Sequence, residues 1–154
     1  MKRNTHDREN MALVLALLRS AQQFHRAIGP VFRAAGLTAS QWDVLETLSN
    51  KGPMTVNALL ERALGTSGNL DVVIKNLIRS GLVEKTVSDT DRRSRVLSLT
   101  TVGRAKVETF LPAHNAALAE IFEGLPADGK RQTIRMLNRL RRSMHHTRKD
   151  HTDE

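Results

Sequence analysis

The sequence has no cysteine. Disulfides, zinc ribbons, thiol catalysis and thiol redox sensing are therefore all excluded. It also lacks a long hydrophobic run. The longest, MALVLALL from Met11 to Leu18, has eight residues, far short of a bilayer span. Lys2 and Arg3 precede it as in a signal peptide, but Asp7 and Glu9 interrupt the basic region and the apolar pattern continues past Arg19. The expectation is a cytoplasmic protein that does not engage membranes. No P-loop, G-x-S-x-G, H-E-x-x-H or glycine-rich dinucleotide turn is present, so neither an enzyme nor a cofactor is expected. Of the six histidines, His145, His146 and His151 lie in or near a polar tail. None pairs at i, i+4 with a carboxylate on a firm helix face, so no metal site is expected.

What the chain has in excess is positive charge. Its 154 residues carry 24 Lys and Arg against 16 Asp and Glu, a net charge of +8. Such a balance favours an anionic partner and says nothing about fold. The length suits one domain, or a small domain with oligomerisation arms.

Apolar residues at Val14, Leu17, Leu18, Ala21, Phe24, Ile28, Val31 and Phe32 follow helical spacing. Gly29-Pro30 is expected to kink or split that helix, and Gly36 to end it. Thr38-Ala-Ser-Gln41 is a capping-box pattern that starts a helix to about Asn50. Thr55 caps a short helix from Val56 to about Arg62, and Leu64-Gly65-Thr66 is a tight connector. A helix from Ser67 to Ser80 ends at Gly81. The period then changes from helical to alternating, and Leu82–Thr86 and Val96–Leu99 read as strands. Thr100 caps a helix to about Phe122, which Pro112 should bend. After Gly124-Leu-Pro126, a last helix runs to about His146 with a seam of Ile134, Leu137, Leu140 and Met144. The expected fold is mostly α with a small β-hairpin, in the order α-α-α-α-β-β-α-α.

The Thr66–Ser80 helix turns Leu70, Val73, Ile74, Leu77 and Ile78 to one side. Its other surface carries Gly68, Asn69, Val72, Lys75, Asn76 and Arg79. The small, polar start, Thr66 to Asn69, lets backbone N–H groups approach a phosphate, and Asn69 could reach a base edge. A capped amphipathic helix with a solvated face is the plainer reading. What favours DNA is the order: short helix, tight turn, second helix, then a hairpin whose tip, DTDRRSR, carries Arg92, Arg93 and Arg95. That order is a winged helix–turn–helix, with the second helix in a major groove and the arginines reaching a minor groove.

The stretches LTASQWDVLETL (37–48), TSGNLDVVIKNLIRSGLVEK (66–85) and DTDRRSRVLSLTTVGR (89–104) resemble the MarR family of bacterial transcription regulators. The D-R-R followed by L-T-x-x-G is the most specific part. The resemblance covers roughly residues 10–145. It implies a homodimer whose terminal helices interlock: a dimerisation helix over 1–36, a DNA-binding lobe over 37–100, dimerisation helices over 101–147 and a disordered tail over 148–154. It further implies two lobes on a pseudo-palindromic operator of double-stranded DNA. Asp91 corresponds to the aspartate that orients a wing arginine, and Arg93 to the arginine that enters the minor groove. Thr66, Ser67, Gly68, Asn69, Lys75 and Arg79 join Arg92, Arg93 and Arg95 as candidate DNA contacts. Asp71 departs from the family pattern, where a hydroxyl or neutral residue is common, and leaves the base preference open.

The resemblance also implies a small aromatic or phenolic anion bound between lobe and dimer helices that releases the protein from DNA. His25, Arg33, Trp42 and His114 are the candidate pocket residues. Trp42 as a core anchor and the histidines as satisfied interface groups are the plainer readings. Dimerisation has independent support, because the end helices have apolar seams too large for a lobe of about 65 residues to cover. Residues 130–149 hold eight basic residues and no acid. They read as a solvated face near a helix C-terminus, as added phosphate contacts, or as partners for Asp7 and Glu9 across a subunit interface. A non-specific architectural DNA-binding protein is the alternative function.

Overall fold

The computed structural model describes residues 4–62, 67–87 and 95–149. Among these, six helices and three strands follow the order α1 (Thr5–Ala34), α2 (Ala39–Lys51), β1 (Met54–Thr55), α3 (Val56–Arg62), α4 (Ser67–Arg79), β2 (Val83–Val87), β3 (Arg95–Leu99), α5 (Thr101–Ile121) and α6 (Ala127–Lys149). The chain forms two compact units, Met1–Leu118 and Ala119–Glu154.

Helix ends follow local chemistry. Asn4 caps α1, accepting from the His6 N–H at 2.6 Å, while the Asp7 carboxylate accepts from the Asn4 N–H at 3.2 Å. The Thr38–Gln41 capping box forms as the sequence predicts, with Gln41 N–H on Thr38 Oγ1 at 3.1 Å and Thr38 N–H on Gln41 Oε1 at 2.8 Å. Thr55 Oγ1 accepts from Ala58 N–H at 3.2 Å and starts α3. At the other ends, α1 and α4 close in the same way. Gly36 and Gly81 adopt φ of 64° and 70°. Leu37 N–H reaches Phe32 O, and Leu82 N–H reaches Leu77 O, each at 3.0 Å. This is the Schellman closure, which needs the left-handed residue that glycine supplies without strain.

The expected kink or split at Gly29-Pro30 is not a split: α1 is one continuous helix to Ala34. A residue before proline avoids the helical region partly because its Cβ meets the proline ring. Gly29 has no Cβ, and Pro30 sits in the last turns, so few intrahelical bonds are at stake. Helix α5 likewise continues through Pro112.

β1 is an addition to the predicted order. Met54 and Thr55 pair antiparallel with Leu97 and Val96, giving a sheet in the order β1-β3-β2. β2 pairs with β3 from Val83↔Leu99 to Val87↔Arg95. Only Val83 of β2 is buried, whereas Leu97 and Leu99 of β3 both are, so the hairpin rests on the core at its base and leaves it towards its tip.

The core of the first unit gathers Leu45 and Leu48 of α2, Leu59 of α3, Leu70, Ile74 and Leu77 of α4, and Leu97 of β3. A second cluster joins Phe32 of α1, Trp42 of α2 and Phe110 of α5, and Ile28 of α1 and Val107 of α5 are buried as well. Lys106 of α5 donates to the Ala35 carbonyl at 2.6 Å, placing a cation on the C-terminal end of α1. In the second unit, α6 extends through Arg148 and Lys149, residues the sequence alone places in the tail. The rest of that tail lies outside the described residues.

Candidate nucleic-acid interface

α4 presents its buried residues, Leu70, Val73, Ile74 and Leu77, to the core and leaves the opposite face open. On that face Asn69, Asp71, Val72, Lys75, Asn76 and Arg79 are exposed. The spacing i, i+3, i+4 produces this division: a residue flanked by two core positions one turn away cannot also face solvent. Asp71 and Lys75 pair across one turn, with Oδ2 and Nζ 2.6 Å apart. Arg79 Nη1 donates to Asn76 Oδ1 at 3.4 Å. Ser67 and Gly68 form the first turn of α4. Thr66 and its connector lie outside the described residues.

In chain order the hairpin follows α4 directly, after the Gly81 turn. Arg95 opens β3 opposite Val87 and is exposed. Asp91, Arg92 and Arg93 lie outside the described residues. Below the tip, Ser98 Oγ donates to Glu84 Oε1 at 3.0 Å and ties the two strands side chain to side chain. At the base, Thr100 Oγ1 donates to the Gly81 carbonyl at 2.6 Å and accepts from Gly103 N–H at 3.0 Å. One hydroxyl therefore joins the end of α4, the end of β3 and the start of α5.

The four candidate pocket residues separate into two pairs. Trp42 and His114 meet, with ring centroids 5.0 Å apart, inside a cluster that includes Phe32 and Phe110. Trp42 is 3% and His114 8% exposed. Trp42 Nε1 and His114 Nδ1 are buried without a hydrogen-bond partner. An unmet buried polar atom costs about 1–3 kcal/mol, so two in one aromatic cluster mark it as unusual. His25 and Arg33 stand apart from it and are exposed. His25 Nδ1 is engaged locally with the Ala21 carbonyl at 2.7 Å. Arg33 follows Phe32 by one residue and so falls on another face of α1, whereas His25 shares the face of Ile28 and Phe32 at i, i+3 and i+7 but is exposed.

Phe110 also forms one wall of a cleft of about 640 Å³ between α1 and α5, with Pro30, Val31, Ala34, Thr109 and Ala113 as apolar or small lining and Lys106 as its one charged group. None of the four candidate pocket residues lines this cleft. Sequence reasoning missed Phe32, Phe110 and Lys106. Their helical spacing showed which faces were apolar, but which helices those faces would meet is a property of the fold.

Among the described residues no helix is long and apolar enough to cross a membrane. A model of the MarR family matches residues 35–94, which run from the end of α1 to the hairpin. The uncharacterized HTH-type transcriptional regulator YkoM of Bacillus subtilis (strain 168) is 32% identical over 104 residues, 68% of each chain. The HTH-type transcriptional repressor YetL of the same organism is 24% identical over 136 residues, 87% of this chain and 81% of that one. A solved structure of Bordetella bronchiseptica BpsR, concerned with regulation of its DNA binding by 6-hydroxynicotinic acid, superposes with a TM-score of 0.74 at 26% identity. It covers 82% of this chain and 91% of BpsR. With the winged helix–turn–helix order in place, α3 and α4 followed by the β2–β3 hairpin, the chain belongs to the MarR family of DNA-binding transcription regulators.

Proposed function

We propose that the protein is a homodimeric repressor that binds a pseudo-palindromic operator and leaves it when a small aromatic acid or phenol binds. The observation that carries the DNA reading is the open polar face of α4, backed by its buried face and followed in the sequence by the arginine-bearing hairpin. In this reading α4 enters a major groove through Ser67, Gly68, Asn69, Lys75 and Arg79. Thr66 stands at its start, and Arg92, Arg93 and Arg95 reach a minor groove, Arg93 being oriented by Asp91. Residues 37–100 form the DNA-binding lobe, and residues 1–36 and 101–147 the dimerisation arms.

The test is binding to the chain's own upstream intergenic DNA against scrambled DNA of equal length. A preference of about 10³-fold or more is expected of a specific regulator. Equal binding that falls steeply with salt would instead favour an architectural DNA-binding protein. On the operator, Arg93→Ala is expected to cost about 1–3 kcal/mol, the range of one groove contact. Unchanged affinity in a titration of that variant would remove the hairpin from the reading.

The unmet Trp42 Nε1 and His114 Nδ1 support the ligand reading. A phenol or carboxylate can accept from the indole N–H, and its ring can stack in the surrounding cluster. Regulation of BpsR by 6-hydroxynicotinic acid gives a first compound class to try. Trp42 is the sole tryptophan, so its fluorescence reports on this cluster directly. Hydroxylated aromatic acids are expected to quench it over the same concentrations that release operator DNA. Release with no change in Trp42 emission would move the ligand site elsewhere.

A further inference from the structure

Val72 sits in the middle of the open face of α4, 55% exposed, among Asp71, Lys75, Asn76 and Arg79. It belongs to no apolar patch there: its neighbours on the face are charged or amide side chains. Valine also gains nothing as a helix former at a surface position. Beside it, Asp71 and Lys75 hold a carboxylate and an ammonium 2.6 Å apart, with their side chains 61% and 67% exposed. The i, i+4 pair steadies the helix surface by itself; against DNA an acid at this point is unfavourable beside phosphates and favourable where it meets hydrogen-bond donors.

The major-groove edges of base pairs supply the match. A C·G pair places the cytosine N4 amino donor beside the guanine O6 acceptor, with guanine N7 a further acceptor next to it. A carboxylate and an ammonium held side by side complement that edge: the acid accepts from N4–H, and the ammonium donates to O6 and N7. An A·T pair also offers an amino donor and a carbonyl acceptor. There, however, adenine N7 lies beside the amino group and would face the carboxylate. The thymine methyl lies beside the carbonyl and would crowd the ammonium. Val72, one residue along and on the same face, is the apolar group that a thymine methyl would contact.

We propose that Asp71, Val72 and Lys75 are the specificity determinants of α4, selecting a C·G pair through the Asp71–Lys75 couple and a neighbouring thymine through Val72. The inference rests on the reading that α4 enters a major groove, and it names the sequence that groove contains. It makes the α4 acid, the departure from the family pattern, the residue that defines this protein's operator.

The test begins with selection of bound duplexes from a randomised pool by the full-length protein. The enriched site is then varied one base pair at a time, and binding is read by fluorescence anisotropy. The wild type is expected to lose about tenfold or more when the selected C·G pair is replaced. It should also bind measurably more weakly when the neighbouring thymine becomes uracil, which deletes only the methyl. Asp71→Asn is expected to shift the preference at the C·G position towards A·T, because an amide pairs with adenine N6 and N7. Val72→Ser should bind thymine and uracil duplexes alike. Both residues are exposed, so folding, checked by circular dichroism, should be unaffected. A selected site whose preferences survive both substitutions would overturn this inference while leaving the sequence-specific regulator intact. Absence of any enriched site would overturn the regulator reading and this inference with it.

Discussion

A Leu137→Asp protein is expected to be a monomer and to bind the operator about 10²- to 10⁴-fold more weakly, the avidity lost when two linked contacts become one. Helix α6 is strongly two-sided. Ile134, Met136, Leu137 and Met144 are exposed on one side, and Arg131, Arg135, Arg139 and Arg142 fall on the other at i, i+4, i+8 and i+11. In the other unit, α1 exposes Met11, Val14, Leu15 and Leu18 at the spacing of a single stripe. Monomeric proteins rarely leave such stripes in water. Covering one of these side chains is worth about 1.5–3 kcal/mol, and association costs roughly 4–15 kcal/mol. One stripe alone is therefore marginal, whereas stripes used twice, as a two-fold axis requires, are sufficient. The same symmetry doubles the penalty of Leu137→Asp, since an unpaired carboxylate would be buried on both sides. Sedimentation equilibrium reads the oligomer, circular dichroism the fold and anisotropy the DNA affinity. A folded variant that stays dimeric would show that this stripe is not the interface.

Electrostatic pairing between the acidic start of α1 and the basic stretch of α6 carries less weight than the seams. Asp7 already accepts from the Asn4 N–H in the α1 capping box, and Asp128 already pairs with Arg131. Exposed pairs of this kind contribute about 0–1 kcal/mol in any case. A dimer held by its apolar stripes should therefore survive moderate salt, while its DNA binding should not.

How far the sequence led depended on the range of the interaction. Capping at Thr38 and Thr55, the Gly36 and Gly81 closures and the extents of α3 and α4 rest on residues a few positions apart, and they read directly. β1 did not, because two residues cannot display an alternating pattern; only the approach of β3 makes Met54 and Thr55 a strand. The unbroken α1 was hidden by proline statistics that assume a Cβ on the preceding residue. The DNA face of α4 was legible as a face. The Asp71–Lys75 couple, and Val72 as an isolated apolar group, needed the side chains in place. The pocket residues fared unevenly for the same reason. Trp42 and His114 share a cluster, but the helical phase that places Phe32 inward carries Arg33 outward, one residue on. Spacing along one helix could not say which of its faces would meet α2 and α5.

Gly103→Ala is expected to destabilise the fold by about 3 kcal/mol, the upper part of the range for forcing an atom into a packed site. That corresponds to a fall in melting temperature of about 6–12 °C at fixed protein concentration. A Cβ at Gly103 would lie 3.0 Å from the Leu82 carbonyl carbon and closer still to its oxygen. The obstruction is backbone, so no rotamer relieves it. The Leu82 oxygen cannot retreat cheaply either, because it accepts from Thr100 N–H at 3.1 Å. Nor can α5 lift away, since Val107 and Phe110 anchor its next two turns in the core. This gives the L-T-x-x-G pattern a physical meaning: Leu99 fills the core, Thr100 ties α4 to α5, and Gly103 leaves room for the chain leaving α4 to pass against α5. Gly124→Ala is the control, for no atom lies within 4 Å of its added Cβ and its φ is not in the left-handed region. That variant should be neutral, or gain a few tenths of a kcal/mol as the unfolded chain loses freedom. Equal melting temperatures for the two variants would mean that the α4–α5 crossing is loosely packed and cannot hold the recognition helix in a fixed relation to α5. A large loss confined to Gly103→Ala, with weaker operator binding at temperatures where the variant is still folded, would identify this crossing as the joint through which α5 positions the DNA-reading face.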